Sequence, residues 1–151
     1  APFVAMIHSV DSFKLLQEIN KQAAKNNRVI DCLLQLFIAQ EETKFGLSEE
    51  EAKELLTSDA FKELKNVRIV GLMGMASNTD NEAQIRKEFK SLKKFFDELN
   101  SSLCTQNSTL TELSMGMSSD YKIALDCGSN MIAVEEGSTL VRVGSAIFGS
   151  R

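Results

Sequence analysis

Apolar positions along this chain fall into two alternating textures. Short, nearly unbroken runs occur at residues 3–8 ("FVAMIH"), 29–38 ("VIDCLLQLFI"), 67–73 ("VRIVGLM"), 113–117 ("LSMGM") and 139–148 ("TLVRVGSAIF"). Runs of this length and continuity are what strands of a buried parallel sheet require. Between them, apolar residues recur every three or four positions, the period of an amphipathic helix. In "SFKLLQEINKQAAKNN", Phe13, Leu16, Ile19 and Ala23 share one side. Residues 9–11 offer caps before it, and Asn26 and Asn27 end it. Ser48 and Glu51 form a capping box that opens "LSEEEAKELLTS", and a short "DAFKELK" follows. The longest helix is predicted over residues 81–99, with Ile85, Phe89, Leu92, Phe96 and Leu99 as its stripe. Residues 120–136 read as helix broken by "CGSN", while "AQEETKFG", "GMASNTD" and "SSLCTQNST" read as loops.

Strands thus alternate with helices throughout. Crossovers of this size belong to parallel strands, and right-handed crossovers bring the strand C-termini to one edge, where α/β proteins bind ligands. The residues expected there are His8 and Ser9, residues 40–44, Met73, Ser77 and Asn78, Ser118 and Ser119, and Ser145.

Composition narrows the choice of partner. The 151 residues fit one domain, 43% hydrophobic and 25% charged, with a net charge of −4. That balance argues against nucleic acid as a partner, which calls for a basic face. No apolar run reaches the length of a membrane span, so no membrane association is expected. Cys32, Cys104 and Cys127 are odd in number and lack C-x-x-C spacing, which points away from a disulfide framework and a zinc site. A single histidine, His8, leaves no multi-histidine metal centre and no Ser/His/Asp set. A reducing, cytoplasmic setting is the expectation. The apolar start lacks a basic n-region and an initiator methionine, so the chain is expected to begin part-way through a longer protein.

The tail carries the densest chemistry. "MGMSSD" puts hydroxyls where a strand hands over to a helix, at unpaired N–H groups that favour an anion. "VGSAIFG" sets Gly144 and Ser145 near the end of the following strand, where glycine permits close backbone approach to an oxyanion. Either the serines cap and the glycines turn, or the two motifs form a phosphate cup. Arg142, inside "LVRVG", either faces outward in a salt bridge or faces a ligand. His8 is a satisfied core residue or a strand-end ligand contact. Lys44 reads as a solvated loop charge, the methionines as core filler, and Cys127, with no activating base, as inert.

"LSMGMSSDYKIA" followed by "EGSTLVRVGSAIFGSR", with "IHSVDSFKL", "QEETKFGLS" and "GLMGMASNTD" in order ahead of them, is similar to the pyridoxal phosphate homeostasis proteins of the YggS/PROSC type. These resemble the N-terminal barrel domain of alanine racemase. The resemblance covers nearly the whole chain. It implies a TIM-type (β/α)8 barrel that carries pyridoxal 5′-phosphate at the strand C-termini, and a non-enzymatic carrier or buffer of that cofactor. The family's phosphate contacts fall on Ser118, Gly144 and Ser145, and its arginine at the pyridine nitrogen falls on Arg142. An arginine there keeps that nitrogen unprotonated and weakens the cofactor as an electron sink. His8 and Met73 fall at strand ends bordering the ring.

Two departures stand out. The five strands match the family's fourth to eighth, so the chain corresponds to a single partial barrel domain over residues 1–151. No lysine matches the Schiff-base position, so cofactor binding is expected to be weak and non-covalent. The stretch from Ser118 to Arg142 is also longer than the family pattern, around residues 125–133. Five strands do not close an eight-stranded barrel, so an N-terminal barrel part or a second chain is expected to cover the exposed edges. Two other functions stay open: an amino-acid racemase-like enzyme on the same barrel, which needs the missing lysine and an opposing acid/base group, and an interaction module that completes a barrel with a partner chain.

Overall fold

The computed structural model describes residues 3–40, 45–103 and 109–115. Their order is β1 (Met6–Val10), α1 (Phe13–Lys25), β2 (Ile30–Leu36), α2 (Glu49–Thr57), α3 (Asp59–Lys62), β3 (Val67–Gly74), α4 (Glu82–Leu103) and β4 (Glu112–Met115). The four strands form one sheet in sequence order, every neighbouring pair parallel. The expected helix over 120–136, the expected strand over 139–148, and Ser118, Arg142, Gly144 and Ser145 lie outside the described residues.

Local chemistry accounts for the helices. Ser12 caps α1, its Oγ accepting the Leu15 N–H at 3.3 Å, so the cap lies one residue beyond the expected 9–11. Asn27 takes φ 50°, a left-handed turn that asparagine tolerates, and Arg28 N–H closes on Ala23 O at 3.0 Å. The capping box of α2 is present in both directions, Glu51 N–H to Ser48 Oγ and Ser48 N–H to Glu51 Oε2, each at 3.1 Å. Helix α4 runs past the expected end at 99. Ser101 and Ser102 donate their hydroxyls to the carbonyls of Asp97 and Leu99, each at 3.0 Å, which lets serines remain helical where composition alone suggests a loop.

The strands differ from expectation mainly in their ends. The first run begins at Met6 rather than Phe3, because its register is set by pairing, Met6 opposite Asp31 and Ile7 opposite Cys32. Phe3 is left 96% exposed and Val4 is also exposed, so apolar content alone placed the start too early. His8 therefore lies inside β1, not at its end. Met73 lies one residue before the end of β3, which closes on Gly74. The second run loses Val29, which is exposed, and ends at Leu36.

Helices α1, α2 and α4 supply one side of the core. Leu16, Ile19 and Ala23 of α1, Ala52, Leu55 and Leu56 of α2, and Ile85, Phe89, Leu92, Phe95, Phe96 and Leu99 of α4 pack with Ile30, Cys32, Leu34 and Leu36 of β2 and their neighbours in β3 and β4. Gly71 marks where β3 and β4 come closest. A Cβ there would lie 1.8 Å from Glu112 O, so any side chain would push the strands apart.

Candidate functional site

Strand alternation sorts the sheet into two faces. Leu34, Leu72 and Leu113 are paired across β2, β3 and β4, all fully buried toward the helices. The next row, Gln35, Met73 and Ser114, points to the opposite face, which is helix-free among the described residues. These three are also buried, at 6%, 1% and 1% exposure, with Leu33 at 0% beside them. At the strand N-termini the same face carries Asp31 and Arg68, joined in a two-pronged ion pair at 2.7 and 2.9 Å. His8 follows Ile7, which packs on the helical core, and so turns toward the helix-free side.

Among the described residues, two side-chain polar atoms on this face, His8 Nδ1 and Ser114 Oγ, are buried without a hydrogen-bond partner. Such groups cost free energy unless a ligand or water meets them. Gln35 is held differently: its Nε2 donates to Phe45 O at 3.0 Å. Phe37 N–H donates to Leu47 O at 2.9 Å and Leu47 N–H to Gln35 O at 2.8 Å, folding the 45–47 segment against the end of β2. Gly46 permits this approach, with φ 150° and a would-be Cβ only 2.6 Å from Phe37 N.

The C-terminal ends of β2 and β3 are tied by a buried polar cluster that sequence reading missed. Ser77 N–H donates to Glu88 Oε2 at 2.8 Å, and Ser77 Oγ donates to Glu88 Oε1 at 2.6 Å. Gln40 N–H in turn donates to Ser77 Oγ at 2.9 Å. The available signal was a glutamate beside Phe89 on the apolar stripe of α4, a poor place for an unpaired charge. Cys32 is buried, and burial, aided by the neighbouring Asp31, pushes its thiol up to about 11, while Cys127 lies outside the described residues. Among the described residues no group of His, Cys, Asp and Glu could hold a metal ion, and no helix is long and apolar enough to cross a membrane.

Of the residues proposed from sequence, the structure brings Met73 and His8 to one face of the sheet, near its C-terminal end and its β1 edge respectively. The orphaned atoms suit a ligand with hydrogen-bonding groups, and buried Met73 suits an apolar ring; the described residues fit a small polar aromatic such as a pyridoxal cofactor. Residues 4–151 match the family profile described as alanine racemase, N-terminal domain. The chain is 40% identical over 148 residues to the pyridoxal phosphate homeostasis protein of Aquifex aeolicus, covering 98% of this chain and 59% of that one. It is 37% identical to the protein of the same name from Helicobacter pylori, covering 95% of this chain and 57% of the other. The chain thus spans less than two thirds of the length of these relatives. Among solved structures, PipY of Synechococcus elongatus with pyridoxal phosphate bound superimposes with a TM-score of 0.75 at 32% identity, covering 95% of this chain and 60% of that one. Alanine racemase of Streptomyces lavendulae shares the fold, with a TM-score of 0.63 at 17% identity. A parallel α/β sheet of this strand order and a match running from residue 4 to the end make the chain a member of the alanine racemase N-terminal domain family.

Proposed function

We propose that this chain is part of a non-enzymatic pyridoxal 5′-phosphate-binding protein, one that holds and hands over the cofactor in the cytoplasm. The observation that carries the reading is the helix-free face, where the orphaned His8 Nδ1 and Ser114 Oγ lie with buried Met73 on the sheet of a family whose relative PipY is solved with pyridoxal phosphate bound. Bound pyridoxal phosphate supplies an aldehyde and an electron-withdrawing ring. Ser118, Gly144 and Ser145 hold its phosphate, Arg142 meets the ring nitrogen, and His8 and Met73 border the ring. Because no lysine of this chain matches the family's attachment position, binding is weak and non-covalent.

The four described strands, with the expected strand over residues 139–148, correspond to the fourth to eighth strands of a TIM-type barrel, in one partial domain over residues 1–151. Among the described residues β1 is paired on one side only, which supports a further barrel part or a second chain along that edge. Titration with pyridoxal phosphate, followed by its absorbance, tests the reading. Saturable binding that leaves no borohydride-stable lysine adduct is expected. A near-stoichiometric adduct overturns the non-covalent part, and no binding overturns the whole. Racemisation of alanine by the chain would favour the enzyme reading instead.

A further inference from the structure

Glu88 is only 4% exposed and sits among the apolar residues by which α4 packs on the sheet. An apolar side chain would serve packing better there, since withdrawing a carboxylate from water is costly unless its oxygens are met. They are met by three donors. Two belong to Ser77, at 2.8 and 2.6 Å, and the third is Gln84 Nε2 at 3.3 Å. Ser77 lies three residues beyond the end of β3. Its hydroxyl has one proton and gives it to Glu88, which orients the oxygen lone pairs toward the Gln40 N–H at 2.9 Å. Gln40 lies four residues beyond the end of β2. One carboxylate on a helix therefore fastens two loops that leave neighbouring strands at the ligand-binding edge of a parallel sheet.

We propose that Glu88 is a positioning residue: through Ser77 it locks the loop after β2 to the loop after β3, and so presets the mouth of the cofactor pocket beside Met73. The proposal rests on the reading that this edge binds pyridoxal phosphate. It touches no cofactor atom. It acts by removing the freedom of two loop backbones before the ligand arrives, which raises affinity through preorganisation.

Three variants of the intact chain test it by amide hydrogen exchange without ligand and by titration with pyridoxal phosphate. Glu88→Leu removes the acceptor of the Ser77 N–H and hydroxyl while keeping the helix apolar. Exchange at Gln40 and Ser77 rises together, by about tenfold, and the dissociation constant rises by about the same factor. Glu88→Gln keeps an acceptor for the Ser77 N–H and a donor to its Oγ, and restores both readouts to within about threefold of the parent. Should Glu88→Leu fail to fold, Ser77→Ala frees the Gln40 amide and removes the hydroxyl donor to Glu88 while keeping the Ser77 N–H to Glu88 bond, and is read in the same two ways, with a smaller change expected at residue 77. Unchanged exchange at Gln40 overturns the lock. Faster exchange at both loops with unchanged affinity leaves the lock structural and overturns its role at the pocket. A parent chain that exchanges slowly at both amides and binds no pyridoxal phosphate refutes the cofactor reading while leaving the lock itself demonstrated.

Discussion

Two rows of residues cross the same three strands one position apart, and they have been given opposite tasks. Leu34, Leu72 and Leu113 face the helices; each is fully buried, and none brings a polar side-chain atom that needs a partner. Gln35, Met73 and Ser114 face away, nearly as buried, yet one needs a loop carbonyl for its amide and another leaves its hydroxyl unmatched. Burial is therefore not what separates them. The helical side maximises apolar area removed from water, worth roughly 25 cal/mol per Å². The other side gives up some of that gain to keep hydrogen-bonding groups in place, which fits the ligand face proposed above.

The sharpest way to break this contrast is Leu72→Ala. A cavity at a fully packed position should cost about 2–5 kcal/mol in urea unfolding, while the dissociation constant for pyridoxal phosphate, measured on folded protein, stays unchanged. Met73→Ala, one residue along, should cost about 2 kcal/mol, at the lower end of the same range, but also weaken the cofactor severalfold. Equal effects of the two variants on affinity would erase the distinction between the faces. A gentler probe is Cys32, whose thiol has an ordinary value of 9.0 and is pushed up to about 11 by burial. Between these values the unfolded chain gives up its proton and the folded one keeps it. The contribution is thus complete below pH 9.0 and is lost as pH rises toward 11. Cys32→Val should flatten that part of the stability profile, read from denaturation midpoints across the alkaline range. Ser114→Ala should move stability least, within about 0.5 kcal/mol and in the stabilising direction, because it deletes a hydroxyl with no partner. Its effect belongs in cofactor affinity; a loss of stability with intact affinity would assign Ser114 to the core.

Much of the scaffold was legible along the chain because its signals are local. The stripe of α4 is visible as Ile85, Phe89, Leu92, Phe96 and Leu99, and the Ser48/Glu51 box declares the start of α2 three residues apart. Parallel pairing followed from the length of the crossovers. Strand ends were less legible: Phe3 and Val4 look as buried in sequence as Ile7 does, and only the register against β2 separates them. Ser101 and Ser102 look like loop residues until their hydroxyls are seen to return to the preceding helical turn. The tail motifs around Ser118, Arg142, Gly144 and Ser145 lie outside the described residues, so for them the family resemblance carries the reading.

Over the described residues, the sequence by itself determined which segments are helices and strands and that the strands run parallel, and its motifs carry the family resemblance. Those properties depend on side-chain periodicity and caps within a few residues of one another. Tertiary structure alone decided that Glu88, eleven residues beyond Ser77 in the chain, would meet it and through it reach Gln40, thirty-seven residues before Ser77. It also decided that His8 Nδ1 and Ser114 Oγ would be buried without a partner among the described residues. Hydrogen-bond satisfaction is a property of three-dimensional neighbours, and no periodicity along the chain encodes it.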